Sequence, residues 1–269
     1  AKGGFASVPV VVAAWFYRIP VLIHESDVAP GLANQIMSRI AKRIALSFQG
    51  SIDFFPERKI FISGNPIRKE LAEGSREKAI QAFSLNPAKK TILVIGGSQG
   101  AHVINSAIIG LLPKIMQKYQ LIHITGKKEY EAVVANAAKQ GYKAGRDSFF
   151  PCPFLREELG NAFSAADIVI SRAGANALTE IAANAKPSIV IPISGSANNH
   201  QEQNAFMFSQ AGAAVILEQN NLGENILLGK IEEILNNKEI AFELSERVKK
   251  FYNPQAAELI AQEIIKLAG

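Results

Sequence analysis

The sequence predicts an α/β chain built on parallel, doubly wound sheet. Three observations carry this expectation. Short apolar, β-branched runs such as Thr91-Ile92-Leu93-Val94-Ile95 and Ile168-Val169-Ile170 alternate with longer segments of helical periodicity. The connections between them are short, and short βα alternation is the pattern of a parallel sheet covered by helices. Two of the runs end on small-residue turns that lead straight into a helix, Gly96-Gly97-Ser98-Gln99-Gly100-Ala101 and Ser171-Arg172-Ala173-Gly174-Ala175. In open α/β sheets such turns, at the carboxyl ends of strands, are where ligands bind.

The totals agree with that class. The 269 residues are 48% hydrophobic and 20% charged, enough for one large domain or two ordinary ones. The longest apolar run, Val8 to Phe16, is broken by Pro9 and is far shorter than the ~20 residues of a membrane-spanning helix. Cys152 is the single cysteine, so no intrachain disulfide forms. A net charge of +5 suits an anionic partner, either a phosphorylated ligand or an acidic lipid surface. Without a Lys/Arg run or interleaved aromatic and basic residues, nucleic acid is not expected. The chain opens on Ala-Lys-Gly-Gly without Met, which predicts that the natural N-terminus lies further upstream.

Taken in order, residues 3–9 read as a Gly-rich loop and Val10 to Tyr17 as a helix. Pro20 to Ile23 reads as a strand with His24-Glu25-Ser26-Asp27 at its carboxyl end, where a cleft is expected. A hydrogen-bonded His24 and a surface carboxylate at Glu25 is the alternative. Residues 28–43 hold a helix, and Ile44 to Ser47 and Ile60 to Ser63 are strands. Gly64-Asn65-Pro66 marks a turn, and we expect the domain boundary near Pro66. A helix to Phe83 follows, then the strand 91–95 and a helix in which Pro113 predicts a kink or break. Leu121 to Ile124, Ser148 to Phe150, Asp167 to Ile170, Ser188 to Pro192 and Ala213 to Leu217 are the remaining strands, separated by helices. Helices fill much of 224–251, and Ala256 to Leu267 is a terminal helix. Residues 91–217 thus supply about six strands, a complete Rossmann-like domain, and residues 1–63 about three, part of a second.

Both small-residue turns present free backbone N–H groups at a helix start, which favours anions. Glu180, early in the second of these helices, is placed to accept hydrogen bonds from sugar hydroxyls; a solvated helix residue in an ordinary βα corner is the alternative.

Six motifs then occur in one order: Gly-Gly-Phe-Ala-Ser-Val-Pro (3–9), His-Glu (24–25), Gly-Asn-Pro-Ile-Arg (64–68), Gly-Gly-Ser-Gln-Gly-Ala (96–101), Ser-Arg-Ala-Gly-Ala (171–175) and His-Gln-Glu-Gln-Asn-Ala (200–205). Together they resemble the MurG family of bacterial glycosyltransferases, and the resemblance covers nearly the whole chain. It implies a GT-B fold, in which two Rossmann-like domains face a cleft. Residues 1–66 would be the end of the acceptor domain, 67–250 the donor domain, and 251–269 a helix crossing back. It implies inverting transfer of N-acetylglucosamine (GlcNAc) from UDP-GlcNAc to lipid I, giving lipid II for peptidoglycan, with neither a cofactor nor a metal required. It further implies a peripheral position on the cytoplasmic face of the bacterial membrane, with cell-wall and division proteins as possible partners.

By the same resemblance the donor is met by Asp27, Arg68, Ser98, Leu155 (or its neighbours Phe154 or Arg156), the turn Ala175, Asn176, Ala177, Leu178, Thr179 and Glu180, and by His200, Gln201 and Asn204. Asp27 stands where many members have Asn, and Ala177 where some have Thr. His24 and Glu25 are expected in a supporting catalytic role, with the main base in a glycine-rich segment upstream of residue 1. Trp15 and Phe16, beside Arg18, are expected to touch an anionic membrane surface; Trp15 in the core is the alternative. Another GT-B glycolipid transferase, or a fragment that binds nucleotide sugar without transfer, are the competing readings.

Overall fold

The computed structural model describes residues 1–96, 101–195 and 199–269. The first unit is a three-stranded parallel sheet of β1 (Leu22–Glu25), β2 (Arg43–Leu46) and β3 (Ile60–Ile62), in that spatial order. Helices α1 (Ser7–Phe16) and α2 (Leu32–Ile40) pack against each other beside it. Ile23, Met37, Ile44 and Leu46 form its fully buried centre.

The second unit carries β4 (Thr91–Ile95), β5 (Gln120–Ile124), β6 (Phe149–Cys152), β7 (Ile168–Ser171), β8 (Ser188–Val190) and β9 (Val215–Ile216). They pair in the order β6-β5-β4-β7-β8-β9, every pair parallel. This is the doubly wound order expected from the sequence, and it reverses direction between β4 and β7. Every residue of β4 is buried, as an unbroken apolar strand at the centre of a two-faced sheet must be. One apolar cluster lies on each face of the sheet. The covering helices are α3 (Arg76–Phe83), α4 (His102–Lys118), α5 (Tyr130–Lys139), α6 (Leu159–Ala165), α7 (Ala175–Ala183), α8 (His200–Gln210), α9 (Glu224–Asn236) and α10 (Lys238–Val248). The last helix, α11 (Ala256–Ala268), returns to the first unit. Asn253 donates to the Ser63 carbonyl at 2.9 Å and Glu263 pairs with Arg43 at 2.7 Å.

Two local expectations change. The first helix begins at Ser7 rather than Val10, because Pro9 sits in its first turn, where the missing N–H has no partner to lose. Pro113 does not break α4, which runs unbroken to Lys118. The proline leaves the Ile109 carbonyl without its intrahelical donor, and the Gln140 side chain donates to that carbonyl at 3.1 Å. The freed acceptor is thereby satisfied from a neighbouring segment.

Candidate active site

An open cleft of about 780 Å³ lies between the two units, against the point where the strand order reverses. The carboxyl ends of β4 and β7 form its base through Ile95, Gly96, Ser171 and Arg172. Arg172 is held in place by donating to the carbonyls of Ile191 (3.2 Å) and Pro192 (3.3 Å). Next to it α7 begins. Its N-cap residue is Gly174 in an extended conformation, and no side chain caps the first turn. The orphan N–H groups there remain available to an anionic group.

Helical spacing sorts the residues of this turn. Ala175, Asn176, Ala177 and Glu180 line the cleft. Leu178 and Thr179 face inward and are fully buried, so their expected donor contacts are not side-chain contacts. Leu178 packs in the core, while the Thr179 hydroxyl donates to the Ala175 carbonyl at 2.8 Å. The same hydroxyl oxygen accepts from Asn65 at 3.2 Å, and Asn65 also donates to the Asn176 side-chain oxygen at 3.0 Å. Asn65 of the Gly-Asn-Pro turn therefore fastens the hinge between the units to the donor-side helix. Sequence reading missed it; its place between Gly and Pro in a linker was the available signal.

Burial pushes the Glu180 carboxyl up to about 7, against the pull of the Arg68 charge. Arg68 enters the cleft from the linker and donates to the Arg156 carbonyl at 3.3 Å. Phe154 and Leu155 both line the cleft, while Arg156 offers its backbone carbonyl to Arg68. His200 and Gln201, in the first turn of α8, close the far side. Ser98 lies outside the described residues. From the first unit come Lys2, Ser26 and Asp27; of these the sequence reading placed only Asp27 in the site.

Besides Leu178 and Thr179, three more expected residues do not line the cleft. Asn204 has no exposure at all and bonds across the two units. His24 is buried, with Nε2 at 3.1 Å from the Ser47 hydroxyl and 3.3 Å from the Gly64 carbonyl. Burial first, and the nearby Lys2 charge second, lower its pKa to about 4, so it is neutral at pH 7. Glu25 is also buried, and its carboxylate accepts from the N–H of Asp27 (3.1 Å), the N–H of Gly31 (3.1 Å) and Nδ2 of Asn34 (2.8 Å). Burial raises its pKa, and these three donors oppose the rise. Glu25 thus braces the 26–31 loop from beneath the cleft, while His24 joins Ser47 to the Gly64 turn. Glu25→Gln turns one acceptor atom into a donor facing N–H groups, so it is expected to cost about 1–3 kcal/mol of stability. Turnover is expected to fall while the shape of its pH profile is kept, as checked by melting and by rate against pH. Loss of one limb of that profile would make Glu25 the titrating base instead.

A cleft between two parallel α/β units, at the switch point of the larger sheet and faced by an uncapped helix start and an arginine, is the class of site that takes a nucleotide's phosphates. Comparison with known proteins gives the particular family. Residues 91–260 match the glycosyltransferase family 28 C-terminal domain and residues 1–46 its N-terminal domain. The chain is 36% identical over 265 residues to the UDP-N-acetylglucosamine--N-acetylmuramyl-(pentapeptide) pyrophosphoryl-undecaprenol N-acetylglucosamine transferase 3 of Bacillus thuringiensis, covering 98% of this chain and 72% of that protein. To the transferase of the same name from Thermodesulfovibrio yellowstonii it is 38% identical over 263 residues, 97% and 70% of the two chains. Among solved structures, MurG of Acinetobacter baumannii superposes with a TM-score of 0.76 at 27% identity, over 98% of this chain and 73% of that one. A UDP-GlcNAc 2-epimerase from Neisseria meningitidis gives 0.69 at 14% identity, a likeness of fold. The chain belongs to glycosyltransferase family 28, and within it to the MurG family of UDP-sugar-dependent transferases.

Proposed function

We infer that the chain transfers GlcNAc from UDP-GlcNAc to lipid I, forming lipid II in peptidoglycan synthesis. The observation that carries this reading is the cleft itself, at the switch point of the six-stranded sheet and between the two units. Glu180 and the α7 helix start sit on one wall, and Arg68, Asp27, His200 and Gln201 lie around it. In this reading Glu180 accepts from both ribose hydroxyls, as an ionised carboxylate can. The diphosphate lies on the uncapped start of α7 and near Arg68, whose charge stabilises the departing UDP without a bound metal. Phe154 and Leu155 hold the uracil, and His200 and Gln201 read the sugar hydroxyls. Ser98, in the glycine-rich motif that follows the β4 sequence, is assigned to the diphosphate by family resemblance. Titration calorimetry with UDP-GlcNAc, UDP-glucose and UDP-galactose tests the donor assignment; UDP-GlcNAc is expected to bind tightest, and equal binding of the three would oppose it.

We further propose that α1 docks on an anionic membrane surface, where lipid I is found. Trp15, Phe16 and Tyr17 are 62%, 77% and 73% exposed, so the alternative of a core Trp15 does not hold. Phe5, Val10, Val12 and Ile19 extend the exposed apolar patch, and Arg18 borders it. Such a patch beside basic residues fits an acidic lipid interface. Among the described residues no helix is long and apolar enough to cross a membrane. Replacing Trp15 and Phe16 by Ser removes two apolar anchors worth roughly 1.5–3 kcal/mol each when buried. Co-sedimentation with phosphatidylglycerol vesicles is expected to fall at least about tenfold. Unchanged co-sedimentation would exclude this face.

A further inference from the structure

We infer that Asn204 is a positioning residue: it latches the acceptor-side loop 26–31 to α8, so that donor recognition in the first turn of that helix is passed to the opposite unit. The inference rests on the functional reading above and concerns how the two halves of that site act together.

Asn204 is fully buried and uses both functional atoms of its side chain. Its Nδ2 donates to Oδ1 of Asp27 at 2.7 Å and to the Ala173 carbonyl at 3.0 Å. Its Oδ1 accepts from the Val28 N–H at 2.9 Å. One amide therefore joins the loop of the first unit to the turn that starts α7 in the second. No carboxylate could do this, because the site needs a donor toward Asp27 and an acceptor toward Val28 at once. The far side of the loop is already fixed: Glu25 holds the Asp27 and Gly31 N–H groups, and Ser51 donates to the Asp27 carbonyl at 2.9 Å.

The helix supplies the rigid part. His200, Asn204 and Phe208 lie at four-residue spacing on one stripe of α8. His200 and its neighbour Gln201 line the cleft, Asn204 holds the loop, and Phe208 meets Phe48 of the first unit edge-on at 6.1 Å. Val28 and Phe48 from the first unit share one apolar cluster with Ala205 and Phe208. Contact is close there, since a Cβ on Gly50 would sit 3.1 Å from Val28 and 3.7 Å from the Met207 sulfur. A shift of α8 on sugar binding must carry the 26–31 loop with it. A helix with contacts to both units is the kind of element through which two sites are coupled.

The test is a paired exchange. Asn204→Asp removes both donated bonds and sets a carboxylate against Asp27. Adding Asp27→Asn restores a donor at 27 facing an acceptor at 204. Hydrogen exchange of residues 26–31 is measured with and without UDP-GlcNAc. In the unaltered protein the donor is expected to slow exchange there by at least about threefold. Asn204→Asp should abolish that response, and the double variant should recover at least about half of it. Asp27→Ala, which removes only one of the three bonds that Asn204 makes, should weaken the response and guards against a misfolded Asn204→Asp. In turnover assays Asn204→Asp should lower kcat at least about tenfold with the donor Kd within about threefold, as expected when coupling rather than binding is lost. Equal donor responses in Asn204→Asp and the unaltered protein, or a double variant no better than the single, would overturn the latch. So would a weakened donor Kd at unchanged kcat, which marks a sugar contact. Should the unaltered protein fail to bind UDP-GlcNAc, the donor assignment fails instead. The latch is then still read from basal exchange of 26–31, which must rise in Asn204→Asp and fall back in the double variant; no rise would overturn it.

Discussion

Glu180→Gln is expected to bind UDP-GlcNAc about 100-fold more weakly than the unaltered protein and yet to melt at a higher temperature without donor. The loss follows from replacing an ionised acceptor of two ribose hydroxyls by a neutral amide with one acceptor atom. Hydrogen bonds to charged groups contribute about 1.5–3 kcal/mol each, and 2.7 kcal/mol corresponds to about 100-fold. The gain in stability follows from burial, which raises the Glu180 pKa to about 7 from an ordinary 4.5. A carboxyl raised in this way contributes stability that is full below its unfolded pKa and is lost as pH rises through the folded value. By pH 8 the ionised, partly dehydrated side chain costs on the order of 3 kcal/mol relative to acid conditions. Glutamine carries no such charge, so a rise of several degrees in Tm at pH 8 is expected. The same titration makes donor affinity fall between pH 8 and pH 6, by about tenfold, because only the ionised fraction binds. Calorimetry at the two pH values and melting of both proteins check all three effects. A variant that binds normally would remove Glu180 from the site.

Gly160→Ala is expected to lose at least about 3 kcal/mol of stability, a large effect for adding one methyl. The linker after the hinge crosses α6 backbone against backbone. A Cβ on Gly160 would lie 2.3 Å from the Glu70 carbonyl oxygen, and one on Gly74 would lie 1.9 Å from the carbonyl oxygen of Gly160. No side chain at the contact can swing away. The linker is also pinned on either side of the crossing. The Ser75 N–H donates to Asn161 at 2.8 Å, and Asn184 donates to the Leu71 carbonyl at 2.9 Å. Displacing residues 70–75 therefore strains α3 and α7 together and moves Arg68 at the mouth of the cleft. Thermal melting and donor titration are expected to show both losses; a fall in stability below about 1 kcal/mol would mean that the crossing is slack.

Much of this architecture is legible in the chain. The buried β4 run, the βα spacing and the small-residue turns carry the sheet and the place of the cleft, because strand burial and turn chemistry are local properties. Glu180 is legible as a cleft-lining residue for the same reason: it lies one helical turn beyond Asn176, on the same face. What was not legible depends on distant partners. Pro113 reads as a breaker until Gln140 is found beside the Ile109 carbonyl. His24 and Glu25 read as cleft residues because they end a strand, yet Ser47, Gly64, Gly31 and Asn34 engage them from elsewhere. Asn204 reads as a sugar contact beside Gln201, but its partners Asp27 and Val28 lie more than 170 residues away in sequence. Lys2 has no local signature beyond its charge, and it reaches the cleft from the first unit.

The measurement that tests the central claim most directly is donor-selective transfer to lipid I. The protein is incubated with lipid I and, separately, with UDP-GlcNAc, UDP-glucose or UDP-galactose, and the lipid product is resolved by mass. The cleft described here predicts lipid II from UDP-GlcNAc, little product from the other two donors, and loss of product with Glu180→Gln at low donor concentration. Equal transfer from all three donors, or transfer that is indifferent to Glu180, would contradict it.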